Sequence, residues 1–304
     1  MSRRGWLLFL AMGVIWGLPY LFIKIAVEDL TPATLVFLRT SVAALLLVPI
    51  AAARGQLLPA LRRWWPLVAY TVAELVVPWF FLANAERRLS SSLAGLLLAA
   101  VPLVGAVLGW VTGTDRLDWR RSLGLLIGLG GVAALVGLDL GVADVPALLQ
   151  MFVVAVGYAV GPYVLARYLG DLPGLGVVAA SLLLTALVYA GPAALQAPST
   201  WPPTDAIVAI VVLAVVCTAV AFLLFFRLID TVGPVRATVI TYINPAVAVA
   251  LGVVFLNEPF TVGIVVGFAL VLLGSALATR RSRPRPEPVT VSVAASTTTA
   301  PADR

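Results

Sequence analysis

The polar residues of this chain gather in short clusters. Between them lie ten stretches that stay apolar over about 20 residues or more: 5–27, 31–53, 66–86, 89–111, 118–139, 146–168, 172–195, 205–228, 231–256 and 259–279. A helix rises about 1.5 Å per residue, so about 20 residues cross the roughly 30 Å hydrocarbon core of a bilayer. The stretches are continuous, and they far exceed the roughly 10-residue alternating segments of an outer-membrane barrel. Inside lipid, only helices and closed barrels satisfy the backbone. The pattern therefore predicts an all-α integral membrane protein of ten transmembrane helices, with short loops that make consecutive helices antiparallel. Arg3 and Arg4 before the first stretch look like the start of a signal peptide. That stretch is too long for an h-region and ends in no small-residue cleavage site, so it is expected to be the first helix.

Composition agrees with this. Hydrophobic residues make up 62% of the chain and charged residues 11%, against about 45–50% and about 25% in soluble domains. Mean hydropathy is +1.07, and so little polar material cannot cover a water-soluble surface. The chain has no histidine, which excludes Ser-His-Asp chemistry, His-ligated metal and histidine proton relays. A single cysteine, Cys217, excludes an intramolecular disulfide and any CxxC site. No cofactor is expected. The net charge of +6 reads as arginines anchoring helix ends, not as a nucleic-acid surface. The expected partners are the lipid bilayer and a small-molecule substrate, and the expected assembly is a monomer or homodimer.

Orientation follows the basic residues. Ten helices put Arg3, Arg4, Arg54, Arg62, Arg63, Arg116, Arg120, Arg121, Arg167, Arg227 and the four arginines within 280–285 on one side, 14 in all. The other side has Arg87 and Arg88, with Lys24 near the end of the first helix, and Glu86 is read as offsetting one of that arginine pair. Both termini are expected in the cytoplasm, with the protein in the inner (plasma) membrane of a bacterial cell. Residues 280–304 turn to Arg, Pro, Ser and Thr, the composition of a disordered cytoplasmic tail.

Self-comparison is the most informative operation on the chain. One shift of 143 residues places Pro102 on Pro245, Gly109 on Gly252, Asp115 on Glu258, Gly124 on Gly267 and Gly131 on Gly274. The same shift places Pro19-Tyr20 on Pro162-Tyr163, Lys24 on Arg167, Glu28 on Asp171 and Pro49 on Pro192. Pro, Gly and acidic positions matching at one ungapped shift indicate a duplication, with repeats over 1–142 and 143–279. Each repeat holds five helices. An odd number inverts the second half, the architecture of many secondary transporters with a substrate site near the midplane.

Two segments carry a family resemblance. Residues 102–135, PLVGAVLGWVTGTDRLDWRRSLGLLIGLGGVAAL, and 245–278, PAVAVALGVVFLNEPFTVGIVVGFALVLLGSALA, each show a mid-helix proline, a run of small residues, an acidic residue in the next loop and glycines in the next helix. With IWG at 15–17, Pro32 and Arg39, residues 5–279 resemble the EamA family of the drug/metabolite transporter superfamily. The resemblance implies two five-helix repeats and transport of amino acids, other metabolites, nucleobases or drugs. Asp115 departs from the glutamate usual there in the first repeat.

Glu74, near the middle of the third predicted helix, is the strongest candidate functional residue. A carboxylate at bilayer centre is costly, about 2.5–3.5 kcal/mol on insertion scales, and such acids usually face a cavity. It could couple to protons, anchor a substrate ammonium or serve as a structural carboxyl. Pro78, four residues on, lacks the N–H that would take up the Glu74 carbonyl. Arg39, a third of the way along the second predicted helix, is a candidate partner for Glu74 or for a substrate carboxylate, or a snorkelling anchor. Trp16, Tyr158 and Asn244 occupy central positions, as cavity lining or as helix–helix contacts, with Tyr20, Tyr163, Thr241 and Tyr242 behind them. Cys217 stands where the other repeat has Glu74, which suggests an asymmetric substrate. Lys24 and Arg167 read as anchors. GxxxG patterns such as Gly124/Gly128, Gly157/Gly161 and Gly263/Gly267 read as close packing within the chain. Asp115 and Glu258 are each expected to cap the helix that follows.

The expected function is a secondary transporter, working as an exporter, for a small metabolite such as an amino acid or related compound. It would act by alternating access with possible proton coupling. An uncoupled facilitator or exchanger, or a channel, is the alternative, although no predicted helix has the polar stripe of a pore. An integral-membrane enzyme fits least, because no catalytic constellation is present.

Overall fold

The structure is a computed structural model that describes residues 2–113, 118–139, 144–233 and 237–279. Asp115, Arg116, Arg236 and the 280–304 tail lie outside the described residues.

Every regular element among the described residues is helical. Eight helices are long and apolar enough to cross a membrane: α1 (Arg3–Asp29), α2 (Pro32–Ala53), α3 (Trp64–Glu86), α4 (Ser91–Val111), α5 (Trp119–Gly137), α6 (Val145–Leu169), α7 (Gly174–Leu195) and α8 (Thr204–Val232). Two shorter apolar helices follow, α9 (Ile240–Leu256) and α10 (Val262–Ala278). The ninth element differs from the sequence expectation, which began it at 231. Helix α8 continues to Val232 and is stopped by Gly233 at φ 85°, a conformation open to glycine at little cost. The Gly233-Pro234 pair that marks this boundary in the sequence falls two residues past the start expected for the ninth helix.

Large side chains such as Leu45, Leu126, Phe152, Val254 and Val262 are exposed. An apolar exterior of this extent is a lipid-facing surface. The buried core mixes large aliphatic side chains such as Leu35, Leu96 and Leu213 with many small ones, including Ala43, Ala83, Ala179 and Ala214, and the small ones let helices in lipid approach closely.

Helix α5 packs on α10, α2 on α7 and α4 on α9, while α3 packs on α6 and α1 on α8. This set is unchanged when the halves are exchanged. The α5–α10 contact is the most extensive. A Cβ on Gly124 would lie 2.8 Å from the Gly274 carbonyl oxygen, and one on Gly131 would lie 2.8 Å from that of Gly267. The partner of each glycine is the repeat equivalent of the other, and the order along the chain reverses, so the two helices cross antiparallel.

Backbone irregularities recur at the same shift. The helix breaks at Ala99–Ala100, before Pro102, and is loosened to a 3-10 turn at Thr238–Tyr242, before Pro245. The Ser275 hydroxyl donates to the freed carbonyl of Ala99 at 3.2 Å. Segments Val72–Val76 in α3 and Val212–Val220 in α8 wind as π-helix. An inserted residue of this kind re-aims side chains and is common at functional sites. Here the two π segments carry Glu74 and Cys217. A third, Leu165–Leu169 in α6, has no counterpart in α1.

Candidate functional site

Glu74 is held where α3 meets α6. Two glycines of α6 make the recess: a Cβ on Gly161 would collide with the Glu74 carboxylate, and one on Gly157 would lie 2.5 Å from the Ala73 carbonyl oxygen. The Gly157/Gly161 pair is thus a packing surface within the chain. Glu74 is half-buried, and its Oε2 is buried with no hydrogen-bond partner among the described residues. On the other side of the bulge the Tyr189 hydroxyl donates to the Val76 carbonyl at 2.8 Å.

Arg39 is buried but does not reach Glu74. Its guanidinium lies 3.7 Å from the centre of the Trp79 ring, and its Nε donates to the Thr218 hydroxyl at 3.0 Å. Thr218 in turn donates to the Leu213 carbonyl, five residues back in the π segment of α8. Arg39 therefore ties α2 to both α3 and α8. Tyr20, Arg39, Glu86 and Tyr158 of α6 stand within electrostatic range of one another. Five helices thus contribute to one buried polar cluster beside Glu74.

The remaining candidates divide. Trp16 marks the break between the two segments of α1 and packs on Phe225 and Phe222, with ring centres 4.7 and 5.9 Å away. With its amide nitrogen turned toward carbonyls, Asn244 donates to Ile240 O at 2.9 Å and Gly13 O at 3.0 Å. It stitches the start of α9 to the break in α1. Tyr163, grouped with Tyr20 by the repeat, is 49% exposed, whereas Tyr20 is 9% exposed. The duplication maps one onto the other, but α6 turns Tyr163 away from the cluster.

Glu258 does not cap the helix that follows it, contrary to the sequence expectation. Thr261 does that, accepting from the Ile264 N–H at 3.1 Å, and Asp118, 143 residues earlier, accepts likewise from Arg121 at 2.9 Å. Asn257 in the left-handed conformation (φ 53°) turns Glu258 back across the structure. There its carboxylate accepts from Ser91 N at 2.7 Å, Ser92 N at 2.9 Å and the Ser92 hydroxyl at 2.5 Å. It caps α4, a helix of the other repeat. Lys24 likewise does more than anchor, since its ammonium donates to the carbonyls of Glu86 at 2.7 Å and Leu89 at 3.0 Å. The α3–α4 turn is thus held by a cation at the end of one helix and an anion at the start of the next, each matching the local helix dipole.

Glu86 itself was missed. Its place beside Arg87 and Arg88 gives it the look of a surface charge. The structure instead buries it completely, and neither carboxylate oxygen has a hydrogen-bond partner among the described residues. Arg88 pairs with Asp144 at 3.2 Å, so Glu86 offsets neither arginine. No group of three or more metal-ligating side chains occurs among the described residues.

At the end of the molecule opposite the α3–α4 turn, a cavity of about 930 Å³ opens between α2, α6, α7 and α8, with Arg54, Gln56, Arg227 and Asp230 in its wall. A second, of about 630 Å³, lies at the end carrying the turn and is lined by Leu30, Thr34, Trp201 and Ile207.

Duplicated apolar helices around a buried polar cluster define a polytopic membrane transporter. The profile of the EamA-like transporter family matches twice, over residues 3–137 and 145–280. The chain belongs to that family, within the drug/metabolite transporter superfamily. It is 29% identical to the uncharacterized inner membrane transporter YedA of Escherichia coli K12 over 86% of this chain and 88% of that one. Against the uncharacterized transporter YvbV of Bacillus subtilis it is 24% identical over 93% of each chain. The aromatic amino acid exporter YddG of Ancylobacter novellus is 29% identical over 76% of this chain and 82% of its own. A solved crystal structure superposes with a TM-score of 0.66 at 26% identity, over 91% of this chain and 98% of its counterpart.

Proposed function

We propose that the protein is a secondary transporter that exports a small metabolite such as an amino acid by alternating access, coupled to protons through Glu74. The observation that carries this reading is the polar cluster buried between the repeats. Arg39 on Trp79, with Tyr20 and Tyr158 nearby, can take a carboxylate beside an aromatic surface. Glu74 leaves one oxygen free in the adjoining recess, where it can take a proton or a substrate ammonium. The similarity to an exporter of aromatic amino acids supports the same substrate class.

In this reading the ten helices form two inverted repeats, over 1–142 and 143–279. The reversed glycine pairing of α5 and α10 and the exchange symmetry of the helix packing support it. The 14 basic residues on one side put both termini in the cytoplasm. The α3–α4 turn then faces outward, and the cavity at Arg54 and Arg227 faces the cytoplasm. The outer turn held by Lys24 and Glu258, together with the inner cavity at Arg54 and Arg227, supports loading from the cytoplasm.

The test is counterflow of a radiolabelled aromatic amino acid in proteoliposomes holding the purified protein. Saturable exchange, competed by unlabelled amino acid, is expected. Linear flux that never saturates would favour a channel, and no flux of any amino acid would remove that substrate class.

A further inference from the structure

The clamped α3–α4 turn encloses a group with no assigned task. Glu86 is fully buried, and neither carboxylate oxygen meets a donor among the described residues. The nearest cation, Lys24, is engaged by the backbone carbonyls of Glu86 and Leu89. Across the turn, Glu258 is taken up by three donors on Ser91 and Ser92. A carboxylate stripped of water and of donors is strongly disfavoured relative to the neutral acid.

We propose that Glu86 is a proton-binding site that locks the outer turn. It holds one proton while the turn is closed and releases that proton to the outer aqueous phase when the turn lifts. Lifting admits water to the carboxyl and frees Lys24 to stand beside it as counter-ion. Among the described residues, five titratable or charged groups stand within electrostatic range of Glu86. They are Lys24 and Tyr20 from α1, Arg39 from α2, Tyr158 from α6 and Glu258 from the α9–α10 loop. In the closed state neither cation hydrogen-bonds to the Glu86 carboxyl: Lys24 donates to carbonyls, and Arg39 donates to Thr218 while stacking on Trp79. Glu86 stands twelve residues from Glu74 in the same helix, roughly 18 Å along its axis. The two carboxyls therefore sit at different depths of one polar cluster, with Tyr158 in electrostatic range of both. The inference rests on the alternating-access reading but not on Glu74 as the coupling group.

Linkage sets the sign. The closed form binds the proton, so outer acid favours closure and outer alkali favours opening. One proton changes the open-to-closed ratio by at most about tenfold per pH unit. The test uses full-length protein with Cys217→Ser, so that nitroxide labels attach only at Arg87→Cys on the turn and Phe260→Cys on the α9–α10 loop, both of them exposed positions. Distances are measured by pulsed electron paramagnetic resonance in lipid nanodiscs from acid to alkaline buffer. The parent should show one short distance in acid and a longer one growing in with pH, by up to about tenfold per unit. Glu86→Gln should stay short at every pH. Glu86→Met, also neutral and of similar length, should do the same and covers poor folding of the Gln variant. Glu74→Gln should keep the pH response. An unresponsive parent, or a response that persists in both Glu86 variants, overturns the proposal. A response lost in Glu74→Gln and kept in Glu86→Gln assigns the proton to Glu74, overturning this inference while leaving the coupling reading intact.

Discussion

The two π segments share a backbone and differ in chemistry. Val72–Val76 carries Glu74, whereas Val212–Val220 carries Cys217 at the equivalent position. The contrast extends along both helices, since Trp79 corresponds to Phe222 and Glu86 to Ile229. Arg39 on α2 likewise corresponds to Leu182 on α7. The recess differs as well. Gly161 makes room for Glu74, and its repeat equivalent is Leu18. Duplication has kept the hinges and packing seams in both halves, while most of the charged machinery stands in one. The second half contributes supporting contacts from Thr218, Tyr158 and Glu258. Two like scaffolds can move against each other symmetrically, and an asymmetric site lets that motion act on a molecule with distinct ends.

The largest effect should come from breaking what the halves share. Gly131→Leu drives a side chain into the α10 backbone, where even a Cβ would lie 2.6 Å from the Val271 nitrogen. Overpacking of this kind costs about 1–3 kcal/mol where neighbours can yield. Backbone cannot yield, so loss of most folded protein in size-exclusion chromatography is expected. Gly130→Leu, next in the chain but facing open space, should fold normally.

A smaller effect tests the contact between the halves. Glu258→Ala strips three donors at the start of α4, and loss of a helix cap costs about 0.5–2 kcal/mol. A lowered melting midpoint in detergent should result, with substrate affinity unchanged. Glu258→Gln still accepts from the Ser91 and Ser92 N–H groups and should recover part of the loss. Full affinity loss at an unchanged midpoint would show that Glu258 meets substrate and is not a cap.

Much of this was legible in the chain because it rests on periodicity and composition. Apolar run length locates the helices, and the 143-residue shift pairs Pro102 with Pro245 and the glycines of α5 with those of α10. Run length alone does not register Gly233, the breaker that ends α8 just before Pro234. Nor does the shift describe helix rotation, so it makes Tyr163 equivalent to Tyr20 although only Tyr20 points inward. Glu86 is the clearest case. A carboxyl next to two arginines at a helix end reads as interfacial, and what buries it is a turn closed by Lys24 and Glu258, 62 and 172 residues away. Arg39 is similar, because its stacking on Trp79 follows from the α2–α3 crossing and from no local pattern.

The central claim is that the carboxyl of the first π segment, and not its counterpart in the second, links transport to protons. The most direct measurement is accumulation of a labelled aromatic amino acid in proteoliposomes with and without an imposed pH gradient, for Glu74→Gln beside Cys217→Ser. The Gln side chain preserves the shape that fills the Gly161 recess and fixes the uncharged form. Glu74→Gln should bind substrate and exchange it but accumulate none against its gradient, while Cys217→Ser should accumulate as the parent does. Gradient-driven accumulation by Glu74→Gln at the parental level would contradict the account and leave Glu74 as a structural carboxyl.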